Sequence, residues 1–201
     1  MNRTQYNYEN QDKKAAIESV RVGGFCRVEK FDPVRMIVDV QPLSKALDGG
    51  VYRTPPQVLG VPVALIRGGG FVLRPWYVAG DVGVLVYMDH DIDRIMASGQ
   101  ECQPNTERNH SDEDAVFVGA FVPASNVLKG LPEEALVMAT DGGEIYIAIK
   151  KDGIKIKGDI ELKGNITQTG RTDVTDDVTA GGKSLAAHTH TGVHGETTPP
   201  N

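Results

Sequence analysis

Lys157-Gly158-Asp159-Ile160-Glu161-Leu162 is followed by Lys163-Gly164-Asn165-Ile166-Thr167-Gln168 and then by Thr169-Gly170-Arg171-Thr172-Asp173-Val174. Glycine returns every sixth residue, twice beside an acidic or amide side chain, with an aliphatic residue between corners. A fixed short period of this kind marks a stack of short strands, the organisation of a β-helix. Upstream, Ile145, Ile147 and Ile149 alternate with Tyr146 and Ala148, and Lys150-Lys151-Asp152-Gly153 supplies a turn. Beyond that turn Ile154, Ile156, Ile160, Leu162 and Ile166 all share one parity, so one side of an extended chain is apolar.

A lone ribbon with one or two apolar side chains per repeat is marginal in water. Three intertwined chains would bring the aliphatics onto a shared axis and leave Lys155, Lys157, Asp159, Glu161 and Lys163 wet. At roughly 1.5–3 kcal/mol per fully buried aliphatic, such a trimer would gain tens of kcal/mol before conformational entropy is subtracted. The inward positions then shrink through Val174, Val178, Gly181, Gly182 and Ala187, which predicts a taper.

The tapering run ends on Ala187-His188-Thr189-His190-Thr191-Gly192-Val193-His194. In an extended strand His188 and His190 project to the same side, with Thr189 opposite. If three chains met on a threefold axis, six neutral imidazoles could surround one ion, a donor set that suits an octahedral transition metal such as iron. The pair by itself is also compatible with a polar tail carrying incidental histidines. The Pro199-Pro200 segment cannot continue a ladder, so residues 196–201 are expected to fold back or cover the end.

Composition and charge set wider limits. The chain has 201 residues, 24% of them charged, and a formal net charge of −6, a balance that does not favour nucleic acid as the main ligand. No apolar run approaches the length of a membrane-spanning helix, and Met1-Asn2-Arg3-Thr4-Gln5-Tyr6 lacks the core of a signal peptide, so assembly in the cytoplasm is expected. Cys26 and Cys102 show no CxxC spacing and read as reduced structural residues.

The N-terminal half is a different kind of sequence. Residues 1–19 are polar and read as an arm, with a short helix permitted over 13–18. Residues 20–123 are rich in glycine and proline and carry strand-like runs at 20–31, 36–40, 58–66, 71–73, 82–88 and 116–122, with one helix over 89–98. Five or six short strands in such a span fit a small closed barrel better than an open sheet. The remaining expectations are a connector over 124–143, a triple-stranded stalk over 144–187 and an apex over 188–201.

Together these features resemble the central baseplate spike, or membrane-piercing needle, of contractile-tailed bacteriophages and the related phage-tail bacteriocins. The resemblance rests on the Gly-x-Ile repeats, the ending Leu185-Ala186-Ala187-His188-Thr189-His190-Thr191-Gly192-Val193-His194 and, more weakly, residues 71–88. It implies an all-β chain with an N-terminal OB-fold-like barrel and a C-terminal intertwined trimeric β-helix, closed by a tapered metal-bound tip. It also implies a homotrimer docked to tail hub and baseplate proteins, no enzymatic activity, and a mechanical role in piercing the target cell's outer envelope on sheath contraction. One iron ion per trimer would be held by His188 and His190. Members of that family often carry a neutral polar residue near the position of His194, which here is either an outer hydrogen-bonding partner or a bystander. The expected location is a virion tail baseplate or a bacteriocin particle.

Other patterns point elsewhere and fail on their own chemistry. Gly181-Gly182-Lys183-Ser184 mimics the end of a phosphate-binding loop, but Asp177 stands where the first glycine is required. Asp89-x-Asp91-x-Asp93 begins like a calcium loop, yet Arg94 and Gln100 replace the necessary glycine and glutamate, and an acidic first helical turn explains it better. Gly68-Gly69-Gly70 reads as a strand connection and Glu133-Glu134 as part of a connector. Phe71, Trp76 and Tyr77 lack interleaved lysines, so they are expected to pack the barrel or face a neighbouring subunit. A trimeric envelope- or carbohydrate-binding adhesin with structural zinc is the alternative from another class. A metalloenzyme is disfavoured because six imidazoles leave no open position.

Overall fold

The computed structural model describes residues 20–193 together with Lys13, Gly195, Glu196 and Thr198. The arm over 1–19, its helix, His194 and the last residues of the apex therefore lie outside the described residues, apart from those named. Two compact units meet at the Lys157/Gly158 boundary.

The first unit is built on a curled five-stranded sheet, β5-β2-β1-β8-β9, from β1 (Gly23–Asp32), β2 (Ile37–Pro42), β5 (Val58–Pro62), β8 (Val82–Tyr87) and β9 (Ala115–Ala120). All its ladders are antiparallel. The two edges approach each other through a parallel bridge from Val63 to Phe117, and the Ala64 N–H donates to the Phe117 carbonyl at 2.8 Å. Sheet order and parallel closure are compatible with an OB-like barrel.

Alternation explains which faces turn inward. Cys26 and Val28 on β1, Val38 and Val40 on β2, and Leu85 and Tyr87 on β8 are spaced by two and all buried. Phe117 fills the centre, edge-on to Tyr77 at 5.1 Å between ring centroids. Gly83 faces that ring and leaves no room for a side chain: an added Cβ would collide with Phe117 and come within 2.7 Å of the Gly119 carbonyl. In β5 the alternation breaks at Gly60, which adopts φ +68° and donates its N–H to Asp39 at 2.8 Å, so Val58 and Val61 both remain inside.

That irregularity also corrects the strand expected over 58–66. β5 stops at Pro62, and Ile66–Gly68 forms β6 of a separate hairpin with β7 (Phe71–Leu73), turned by Gly69 and Gly70. A further hairpin, β3 (Ala46–Asp48) with β4 (Val51–Arg53), was not expected; both hairpins are exposed on every strand residue.

The helix expected over 89–98 is shorter. α1 spans Asp93–Ser98 because the Asp91 carboxylate turns back to accept the Asp93 N–H at 2.9 Å and the Thr106 hydroxyl at 2.6 Å, holding the preceding residues out of the helix. Asp93 does sit in its first turn. No helix among the described residues is long and apolar enough to cross a membrane.

The first unit also contains a three-stranded sheet, β10 (Leu136–Ala139), β11 (Tyr146–Lys150) and β12 (Gly153–Lys157), with β10 arising inside the segment read as a connector. Leu136 pairs with Ile149 and Ile149 with Ile154; Met138 pairs with Ile147 and Ile147 with Ile156. Directly paired residues share a face, so six aliphatic side chains form two adjacent rungs on one side of this sheet. All six are exposed.

In the second unit residues 158–178 form no strand within the chain and are exposed throughout. Their six-residue period is nevertheless present in the backbone: Gly158, Gly164 and Gly170 all take positive φ, at 119°, 149° and 126°. Two short hairpins follow, β13 (Thr179–Ala180) with β14 (Lys183–Ser184) and β15 (Thr191–Gly192) with β16 (Gly195–Glu196), so the chain does turn back after Gly192.

Candidate functional site

The expected metal ligands lie between those two hairpins. Gly181 and Gly182 close the first, with φ +59° and +78°, the pairing that a tight two-residue turn requires. The glycine-lysine-serine run is thus a hairpin with no helix behind it, and the phosphate-loop likeness ends there.

After β14 the chain folds tightly on itself. Leu185 N–H donates to the Val178 carbonyl at 2.8 Å, Ala186 N–H to the Asp177 carboxylate at 3.1 Å, and Ala187 N–H to the Ser184 hydroxyl oxygen at 2.8 Å. The carbonyls of Ser184 and Leu185 consequently face the His188 ring, 3.1 and 2.9 Å from Nδ1. A carbonyl oxygen can only accept, so Nδ1 carries the proton. In the neutral ring Nε2 then holds the lone pair that a metal needs.

His188 is half-buried and His190 exposed. Their ring centroids are 5.0 Å apart and nearly perpendicular, at 88°. The structure therefore brings the two predicted residues together and gives one of them the backbone anchor common to metal-bound histidines. Two nitrogens from one chain do not complete a coordination shell.

Asp177 and Ser184 are the site residues that sequence reading missed as site residues. Ser184 donates to the Asp177 carboxylate, which also receives backbone N–H groups; these hydrogen bonds hold the acid below the usual aspartate range despite the opposing cost of desolvation. An aspartate just ahead of a Gly-Gly turn was the available signal.

A second cluster, in the first unit, resolves the calcium-loop likeness. Asp91, Asp93 and Asp114 bring carboxylate oxygens within 4.8 Å of one another. Arg108 sits among them, with Nε and Nη2 each 3.1 Å from Asp114 oxygens, and Nη2 3.2 Å from Asp93 and 3.3 Å from Asp91. The guanidinium supplies the positive charge that a cation would. Donating to the Asp114 carboxylate raises the Arg108 pKa above the ordinary arginine value, and the Thr106 hydroxyl, donating to Asp91, leads the interactions that lower that of Asp91. This knot fastens the loop between β8 and β9.

The aromatics separate by position. Tyr77 is buried in the barrel and Trp76 packs edge-on against Phe31 at 5.7 Å while staying 64% exposed; Phe71 is 82% exposed on its hairpin. The two cysteines also separate: both are free thiols, but Cys26 is a core residue whose thiol burial pushes up to about 11, whereas Cys102 is exposed.

No curated protein matches the chain at significant similarity. Residues 25–119, just under half of the chain and nearly the whole span of the barrel strands, match the family model described as the phage protein Gp138 N-terminal domain. That match supports a phage structural protein and is consistent with a virion-associated location.

Proposed function

We propose that three copies of this chain form the central spike of a contractile tail or tail-like particle. The barrels dock to hub and baseplate proteins, and the C-terminal segments intertwine as a β-helix that carries axial force to the target cell's outer envelope. The observation that carries this reading is the aliphatic face of β10–β12: Leu136, Met138, Ile147, Ile149, Ile154 and Ile156 lie in register and exposed. Farther along the chain Ile160, Leu162, Ile166, Val174 and Val178 are exposed as well. An exposed aliphatic sheet face such as that of β10–β12 marks an interaction site. The periodic glycine corners and the extended backbone supply unpaired ladder groups that sister chains can satisfy.

The role is mechanical, and its physical basis is rigidity. In an intertwined shaft no chain peels away without breaking ladders and apolar contacts to both neighbours. At the tip, where aliphatic bulk has run out, His188 and His190 from three chains would hold one iron ion, whose contribution is to cross-link the strand ends. His188 fits that role through its anchored Nδ1 and available Nε2.

Protein purified without a histidine tag tests the reading. The expected results are a solution mass of three chains and one iron per trimer, with His188→Ala/His190→Ala losing the metal and keeping the trimer. A monomeric wild type, or one metal per chain, overturns it. The adhesin alternative draws on one observation: exposed Trp76 borders a cleft of about 450 Å³ that also presents Asp81, Asn126 and Asp141, groups suited to a sugar. Saccharide binding abolished by Trp76→Ala, in a trimer that holds zinc and no iron, would favour it.

A further inference from the structure

We infer that Asp177 is a positioning residue for the metal site, setting the His188 tautomer through the turn at Ser184–Ala187 rather than touching the metal itself. This inference rests on the proposed metal-bound tip. Its geometry, however, belongs to a single chain.

His188 Nδ1 faces two carbonyls, from the residues four and three positions before it. Both oxygens can point at one nitrogen only because residues 184–187 close into a turn. Left to itself that turn would be weak: it follows a hairpin of two pairs, and its corner has no buried apolar side chain. Besides the Leu185 N–H bond to the Val178 carbonyl, the side chain that holds it is Asp177. Its carboxylate accepts the Ala186 N–H at 3.1 Å and the Ser184 hydroxyl, and Ser184 in turn accepts the Ala187 N–H at 2.8 Å. One acid, two residues ahead of the strand that enters the hairpin, thus ties down Ser184 and Ala186 of the turn with charge-assisted hydrogen bonds.

Removing the acid frees the two carbonyls to drift. The ring then loses the acceptors that fix the proton on Nδ1, and a fraction of rings takes the Nε2–H form, which cannot ligate through that nitrogen. A metal-bearing histidine that loses such outer support typically loses ~10–100-fold in metal affinity. Ser-His-Asp chemistry is not an alternative use of the trio, because the serine hydroxyl is engaged by Asp177 and by Ala187 N–H while His188 addresses backbone carbonyls.

The test uses the full chain labelled with ¹⁵N-histidine, as wild type, Asp177→Ala and Asp177→Asn. In metal-stripped protein near neutral pH, the ¹⁵N shifts should show His188 as the Nδ1–H tautomer in wild type and a tautomer mixture in Asp177→Ala. In iron-loaded protein, chelator-driven release should be ~10–100-fold faster in Asp177→Ala, with Asp177→Asn, which keeps one acceptor oxygen, in between. Should Asp177→Ala fail to assemble, Asp177→Asn carries the same two measurements. Wild-type tautomer and wild-type release in the variants overturn the inference, as does a lowered melting temperature with the tautomer unmoved, the signature of a purely structural aspartate. A wild type that shows the Asp177-dependent tautomer and yet takes up no iron overturns the metal-bound tip instead.

Discussion

Replacing Ile147 by aspartate should prevent the proposed trimer from forming while leaving each barrel folded. Ile147 occupies the middle of a rung, flanked by Met138 and Ile156, and is already 45% exposed in the single chain and outside the barrel core, so a carboxylate there still reaches water within one subunit. A fully buried aliphatic is worth roughly 1.5–3 kcal/mol, and with about half of each side chain still to be covered, the six residues of this face offer ~1 kcal/mol apiece. That is about 6 kcal/mol per chain and somewhat under 20 kcal/mol per trimer from the face alone, before ordering and association entropy are subtracted. Threefold symmetry multiplies the substitution: three carboxylates would enter one apolar layer, each losing its ~1 kcal/mol of burial and adding a desolvation penalty of several kcal/mol. The sum is comparable with the whole gain of the face. Light scattering coupled to size exclusion at micromolar concentration should therefore report one chain mass for Ile147→Asp and three for wild type. Lys155→Asp is the control, because Lys155 pairs with Ala148 on the opposite side of the same sheet. A trimeric Ile147→Asp protein, or a Lys155→Asp protein that dissociates as readily, would show that the aliphatic face is not where the copies meet.

Gly83→Ala should lower barrel stability by ~1–3 kcal/mol in urea unfolding, since the new methyl group meets the Phe117 ring and the Gly119 carbonyl, neither of which can retreat cheaply. Asp91 predicts a pH effect with a definite sign. Its folded pKa lies below the ordinary value of 3.8, chiefly through the Thr106 hydroxyl, so its contribution is present above about 3.8 and fades as pH falls through the lower folded value; thermal melts of Asp91→Asn should show a shallower acid limb than wild type. The thiols should differ in rate: exposed Cys102 reacts promptly with a thiol reagent at neutral pH, while buried Cys26, pushed up to about 11, reacts only on unfolding. Two fast thiols per chain would refute the packing assigned to Cys26.

Where the fold was legible in the sequence, a local pattern and its burial coincided. Val38 and Val40, or Gly83, Leu85 and Tyr87, alternate because one face of each strand looks into the barrel, and that face is decided by neighbours two residues away. Where a distant group intervened, reading failed. The helix start moved to Asp93 because Asp91 is claimed by Thr106 and Arg108, fifteen and seventeen residues downstream, and nothing near Asp91 announces them. The strand over 58–66 was cut at Pro62 because the chain leaves the sheet there to bridge Phe117 and enter a new hairpin. β10 went unseen because Leu136 and Met138 form too short an alternation to stand out without the β11 strand that pairs with them.

The histidine pair follows the same logic at smaller scale. Its approach to within 5.0 Å follows from spacing alone, whereas the anchoring of His188 depends on a carboxylate eleven residues earlier that reaches it only through a folded turn. The C-terminal repeat is the inverse case. Its period is plain in the sequence and persists in the backbone angles of Gly158, Gly164 and Gly170, yet Ile160, Leu162 and Ile166 stay exposed in the single chain. A pattern that regular, with apolar side chains at every repeat and no burial to show for them, is what the proposed intertwining of three chains would cover. The aliphatic rungs of β10–β12 have the same property. For that reason the oligomeric mass, more than any refinement of the chain's own contacts, decides whether this protein is a shaft.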